Sequence, residues 1–176
     1  MDLSSSYFEL FGLPTGFVID VAALQPRWRE LQRLHHPDRH AQDDAAGQQH
    51  ALQMAAHINA AHETLRDPIK RAHYLLQLAG HGIDGERSTI ADTDFLMTQM
   101  ELREQLDEAD SLETLDALEA DAAEWRDNLL REFPIDYAAQ DWSEAADTLR
   151  KLHFMSRLLA EIQAERERLE DELDEL

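Results

Sequence analysis

No cysteine occurs in the 176 residues, which removes disulfides, thiolate nucleophiles, cysteine–zinc sites and iron–sulfur ligation by protein thiolates together. Long apolar runs are missing too. No stretch of about eighteen apolar residues could span a bilayer, no apolar segment follows a basic N-terminus, and no lipidation box is present, so a cytoplasmic protein without membrane contact is expected. Positive charge is scarce: 16 Lys and Arg stand against 37 Asp and Glu, a formal net charge of -21. Such a chain repels nucleic acid, whose binding needs a concentrated basic surface. Catalytic signatures are absent as well, with no His-Glu-x-x-His pair, no glycine-rich phosphate loop and no Gly-x-Ser-x-Gly elbow. Nine histidines invite a metal site. Yet His36 and His40 straddle Pro37, which spoils helical i, i+4 geometry for a shared ion, so neither a metal site, a cofactor nor an enzyme activity is expected.

The charge is unevenly spread. Residues 1–79 carry nine acids and seven bases, residues 80–176 carry 28 and nine. The break coincides with Gly80, Gly82 and Gly85, which places one domain at 1–79, a linker at 80–91 and a second domain at 92–176.

In the first domain, Ser4 to Ser6 offer an N-cap to a short apolar helix through Tyr7, Phe8, Leu10 and Phe11, closed by Gly12 and Pro14. Asp20 can cap the next. There Pro26 lacks the N–H owed to Ala22, so either Val21 to Leu24 form a separate turn or the helix is kinked. Leu24, Trp28, Leu31 and His35 then recur at four, three and four residues and define one stripe. Arg29 and Arg33 fall on the opposite, outward side as i, i+4 neighbours. The helix should stop near His35, because Pro37 disfavours the α region for His36, leaving His36-Pro37-Asp38 displayed in a loop. Asp43 or Asp44 can cap a long helix with Leu52, Ala55, Ile58, Ala61 and Leu65 inward, ending at Asp67-Pro68. A last helix spans Ile69 to Ala79.

The second domain reads as three amphipathic helices in an antiparallel bundle. Asp92 or Thr93 can cap the first, to about Ala109. Ser111 can cap the second, with Leu112, Leu115, Ala122, Leu129 and Phe133 on its stripe and its end at Phe133-Pro134. Asp141 and Glu144 have capping-box spacing for a third that runs to the terminus. That helix has a heptad series, Leu152, Met155, Leu159, Ile162, Arg166, Leu169, Leu173 and Leu176, with one charged interruption. Off these stripes lie Leu96, Met97 and Met100 on the first helix and Phe154 on the third, all expected to be exposed. Rimmed by Glu101, Glu104 and Glu108, they form a candidate docking patch with an apolar centre and charged edge. A widened core face or a contact with the first domain is the competing reading.

Tyr7-Phe8-Glu9-Leu10-Phe11-Gly12-Leu13, the basic helix ending in His36-Pro37-Asp38, and Ile58, Ala61, Leu65, Asp67, Lys70-Arg71 and Tyr74 together resemble a J-domain, the module that activates DnaK-type chaperones. The resemblance implies that His36, Pro37 and Asp38, helped by Arg29 and Arg33, engage the chaperone and trigger its ATP hydrolysis. The run Phe95 to Glu108 and the run Ala146 to Phe154 are similar to the C-terminal domain of the HscB family, J-proteins dedicated to iron–sulfur cluster assembly. By that resemblance the second domain would bind an IscU-type scaffold protein through Leu96, Met97, Met100, Glu101, Glu104, Glu108 and Phe154, and deliver it to an HscA-type chaperone. A general J-protein presenting unfolded clients is the alternative, although the Gly/Phe-rich linker and β-rich or zinc-bearing client domain usual there are missing. The expected architecture is all-α: an N-terminal J-domain, an antiparallel helical hairpin with short flanking helices, followed by a C-terminal three-helix bundle.

Overall fold

A computed structural model describes residues 4–40, 43–82 and 92–174, and every regular element among them is helical. The chain divides into two compact units, Met1–Ala79 and Gly80–Leu176. Of the linker expected over 80–91, residues 83–91 lie outside the described residues, as does Leu176.

The first unit opens with α1 (Tyr7–Phe11), held by a reciprocal capping box. The Ser6 hydroxyl accepts from the Glu9 N–H at 3.2 Å, and the Glu9 carboxylate accepts from the Ser6 N–H at 2.8 Å. Gly12 closes it at φ 67°, a left-handed value that costs a glycine little. Phe8, Leu10 and Phe11 are buried.

The next helix, α2 (Val21–Leu34), starts at Asp20, whose carboxylate accepts from the Ala22 N–H at 3.0 Å. It runs unbroken through Pro26, which rules out a separate first turn. Buried Leu24 anchors that turn despite the missing bond. A 3-10 turn, Pro37–His40, follows and lies against α3 (Ala45–Arg66). Asp44 caps α3, accepting from the Gly47 N–H at 2.8 Å.

The core face of α3 differs from the expectation in its first half: Ala51 and Met54 are buried with Ile58, Ala61 and Leu65, while Leu52 is exposed and Ala55 half-buried. The observed steps of three, four, three and four hold one stripe. Steps of three from Leu52 would drift by about 120° before Ile58 at 100° per residue.

Asp67 joins α3 to α4 (Pro68–Leu78), ending one helix and capping the next. Its carboxylate accepts from the N–H groups of Ile69 and Lys70 at 2.8 and 3.0 Å, with Pro68 in the first turn. Two side chains of α4 bind the unit together. Buried Arg71 donates to the Leu65 carbonyl, and its guanidinium lies 5.0 Å from the centre of the Phe17 ring. The Tyr74 hydroxyl accepts from the Tyr7 N–H at 3.0 Å, with the two rings stacked at 4.4 Å. This bond satisfies an orphan donor of the first turn of α1.

In the second unit, α5 (Thr93–Asp107) is capped by Asp92, which accepts from the Phe95 N–H at 3.1 Å. Ser111 caps α6 (Leu112–Ala139), and Asp141 precedes α7 (Trp142–Asp174), accepting from the Glu144 N–H at 3.2 Å. The long helices α6 and α7 run antiparallel: Thr148 reaches Asp136 at one end, and Arg166 reaches Asp116 and Glu119, each at 2.6 Å, at the other. The charged interruption in the heptad series is thus matched by acids on the facing helix.

Contrary to expectation, α6 does not stop at Phe133-Pro134 but continues to Ala139 and a left-handed Gln140 at φ 58°. An interior proline costs a helix about 3 kcal/mol. Packing beyond it offsets that cost, since Phe133 stacks on Tyr137 at 6.0 Å and Tyr137 meets Trp142 edge-on at 5.5 Å.

Replacing Tyr74 by Phe keeps the ring stack and removes the acceptor for the Tyr7 N–H. The expected cost is about 1 kcal/mol of unfolding free energy in a urea titration, and an unchanged midpoint would show that the bond contributes nothing.

Candidate functional site

In the first unit, α2 carries Arg29 and Arg33 exposed on its outer side, as their phase required. Where α2 ends, His35 is half-buried and closes the last turn, its N–H bonded to the Leu31 carbonyl at 3.0 Å. His36 and Asp38 are then exposed, with the Asp38 side chain 90% accessible. The corner is braced locally. The Arg39 guanidinium donates to the Arg33 carbonyl at 3.1 Å, tying the 3-10 turn back to an otherwise orphan acceptor of α2. The Asp38 N–H donates to His36 Nδ1 at 3.2 Å.

The Asp38 carboxylate also lies 3.6 Å from Nδ1. That contact is an ion pair only when Nδ1 is protonated, a state in which the nitrogen cannot accept the amide. The amide bond has the better geometry, and a ring that accepts it at Nδ1 carries its N–H on Nε2. The corner therefore offers a carboxylate and an imidazole donor on a short, braced turn, with two guanidinium groups on the helix leading to it.

Farther along α2, the Trp28 indole N–H and the Gln32 amide both donate to Asn59 Oδ1 on α3, the former at 3.0 Å, and Trp28 stacks on His62 at 5.2 Å. These contacts fix α2 against α3 and so fix where the corner points.

In the second unit, Leu96, Met97 and Met100 are 39%, 62% and 73% exposed, on the outer side of α5. Glu101, Glu104 and Glu108 are exposed around them. Phe154 differs from the expectation: it is only 5% exposed, packed edge-on against Phe95 at 5.8 Å and covered by the Arg103 guanidinium 5.6 Å from its ring centre. The reason is that α7 buries two faces. Leu149, Leu152, Met155 and Ile162 are buried along one stripe, and Phe154 lies off it, buried against Phe95 of α5. A single heptad stripe could not reveal the second face.

Two ion pairs unsignalled by local spacing complete the seat of α5. Arg103 holds Glu161 through two nitrogens at 2.8 and 3.3 Å, and Lys151 reaches the capping Asp92 at 2.6 Å while lying 5.4 Å from the centre of the Phe95 ring. The Lys151 ammonium, with help from the Phe95 N–H, holds the Asp92 carboxyl below the usual aspartate range. Trp125 of α6, also missed, stands 41% exposed with its ring edge-on to Phe95 at 6.1 Å. The available signal was an aromatic at the margin of the α6 stripe, three residues after Ala122. Among the described residues no three His, Cys, Asp or Glu side chains converge as a metal site, and no helix is long and apolar enough to cross a membrane.

A helical hairpin presenting His-Pro-Asp at its turn, carried on the same chain as a three-helix bundle, defines a J-domain co-chaperone. Residues 6–74 match the DnaJ domain family, and residues 91–163 match the HSCB C-terminal oligomerisation domain. The co-chaperone protein HscB homolog of Acinetobacter baylyi is 45% identical over 169 residues, 95% of this chain and 94% of that one. Chaperone HscB from Vibrio cholerae has a TM-score of 0.80 at 39% identity, covering 96% of this chain and 99% of its own. The human co-chaperone protein HscB gives 0.89 at 29% identity, over 94% and 84%. The chain belongs to the HscB family of co-chaperones.

Two outcomes follow for the α5 seat. Phe154→Ala should cost about 3 kcal/mol in chemical denaturation of the second unit, the cost of a buried aromatic cavity, whereas an exposed ring would cost almost nothing. For Asp92 the folded carboxyl ionises at lower pH than the unfolded one. Its contribution is therefore present above the ordinary aspartate range and is lost as pH falls through the depressed folded value. Asp92→Asn should lower the melting temperature at neutral pH and flatten its decline towards acid; parallel curves for the two proteins would refute the pairing.

Proposed function

We propose that this chain is a two-handed adaptor: its bundle binds a folded IscU-type iron–sulfur scaffold protein, and its J-domain brings that cargo to an HscA-type, DnaK-like chaperone and stimulates ATP hydrolysis there. The observation that carries the reading is the pairing, on one chain, of a braced corner with His36 and Asp38 exposed and an exposed Leu-Met-Met patch seated on a buried phenylalanine.

At the corner, the Asp38 carboxylate is suited to an arginine of the chaperone, a charge-assisted pair of the strong kind, and the Nε2–H of His36 supplies a donor beside it. Arg29 and Arg33 extend the contact with positive charge. A proline between them fixes its own φ and so limits the freedom of the chain that carries both groups.

On the bundle, Leu96, Met97 and Met100 form the apolar centre of the scaffold interface, with Glu101, Glu104 and Glu108 at its rim. Methionine suits a surface that must fit a partner, because its thioether chain repacks at low cost. Phe154 acts from beneath, holding α5 at the height from which those side chains project. Tethering the two binding surfaces raises the effective concentration of cargo at the chaperone without any direct contact between cargo and J-domain. The reading fits a cytoplasmic protein.

His36→Gln should leave scaffold binding intact and abolish ATPase stimulation in single-turnover assays with an HscA-type chaperone. Leu96→Ala combined with Met100→Ala should do the reverse, weakening scaffold binding by about 2 kcal/mol in calorimetry with stimulation by the free co-chaperone retained. Normal stimulation by the first variant, or normal scaffold binding by the second, overturns the corresponding assignment.

A further inference from the structure

A groove of about 470 Å³ runs between α5 and α6, beside the exposed patch. Glu101 belongs to both: it rims the patch and lines the groove. Across from it, α6 contributes Asp121, Glu124 and Trp125, positions that share one face of the helix, with buried Leu102 between the walls. Three carboxylates line this space and no basic side chain does.

Part of the bundle's acid is matched internally: Asp92 by Lys151, Glu161 by Arg103, and Asp116 and Glu119 by Arg166. Among the described residues, Glu101, Asp121 and Glu124 take part in no ion pair. Trp125 adds a half-exposed indole, braced edge-on by Phe95. An aromatic face flanked by uncompensated carboxylates is the chemistry that receives a cation: the ring quadrupole attracts it, and the carboxylates accept its N–H groups.

A partner seated on Leu96, Met97 and Met100 would cover Glu101 and shut the groove from water on that side. Desolvating carboxylates without a counter-charge is costly, so a partner that fits must carry positive charge at this point. We infer that the groove takes a basic side chain, best an arginine, projecting from the same folded scaffold that the patch binds. This rests on the docking reading above. Arginine fits better than lysine because its planar guanidinium stacks on the indole while its edges reach Glu101 and Glu124. The patch then supplies apolar area, and the groove supplies selection for a partner with charge in the right place.

The test is a calorimetric titration of the full chain with an IscU-type scaffold at several salt concentrations. Trp125→Ala, and separately the isosteric pair Asp121→Asn with Glu124→Gln, should each raise Kd about tenfold, and the carboxylate pair should also flatten the dependence of log Kd on log salt. Far-UV circular dichroism of both variants should match the parent, which controls for folding of the bundle, and chaperone stimulation by the free co-chaperone should stay at the parent level. If both groove variants bind as the parent does while Leu96→Ala/Met100→Ala loses affinity, the groove inference falls and the patch stands. If none of the three alters binding, the docking reading itself fails and the groove falls with it. Lower affinity with an unaltered salt slope in the carboxylate pair overturns the cationic occupant.

Discussion

The edge-to-face packing of Phe154 on Phe95 is the contact on which the second unit's display depends. Helix α5 has only 15 residues and buries only Phe95 and Leu102. An isolated helix of that length is marginal in water. It stays in place because Phe154 supplies an apolar shelf, and because Arg103 and Lys151 each serve twice, as an ion-pair partner across to α7 or back to the α5 cap and as a cation over an aromatic ring. With the inward side so fixed, the outward side can spend large apolar side chains on solvent. An apolar patch of this sort is tolerable on a rigid support ringed by acids, which keep the surface soluble while open.

The first unit solves a different problem, the exact placing of a short corner rather than the seating of a surface. Its hairpin is locked by Trp28 and Gln32 sharing Asn59, and its two ends are drawn together by Tyr74 and Arg71. None of these four groups lies at the corner. They remove freedom from the helices that carry it, so that a partner engaging His36 and Asp38 would meet a turn already ordered and lose less entropy in doing so. The Lys-Arg-x-x-Tyr pattern thus has a physical reading: the arginine ties α4 to the end of α3, and the tyrosine ties it to the start of α1.

Much of this was legible in residue order, because caps and stripes are local. Ser6, Asp20, Ser111 and Asp141 announce helix starts, and the phases of Arg29, Arg33, Leu96, Met97 and Met100 place them outward. What was hidden is what depends on a second neighbour. Phe154 belongs to a face of α7 that exists only because a third helix packs there. A run of threes from Leu52 looks periodic until its drift is counted, and Pro134 reads as a stop because the aromatic packing that carries α6 past it involves Trp142, beyond the turn. Trp125 and its acids are visible in the sequence but form no groove there, since α5 and α6 meet only in the fold.

The bond from the Asp38 amide to His36 Nδ1 divides labour within a single ring. An asparagine could copy the inner task, since its carbonyl oxygen reaches the amide two residues on in the ordinary Asx manner. Its amide nitrogen, though, sits on the same carbon as that oxygen, close to Cβ. Imidazole carries its second nitrogen farther from the backbone, on the far side of a rigid ring. A corner built this way ties the direction of its ring hydrogen to the backbone itself, so that the bearing of that hydrogen is set before any visitor arrives.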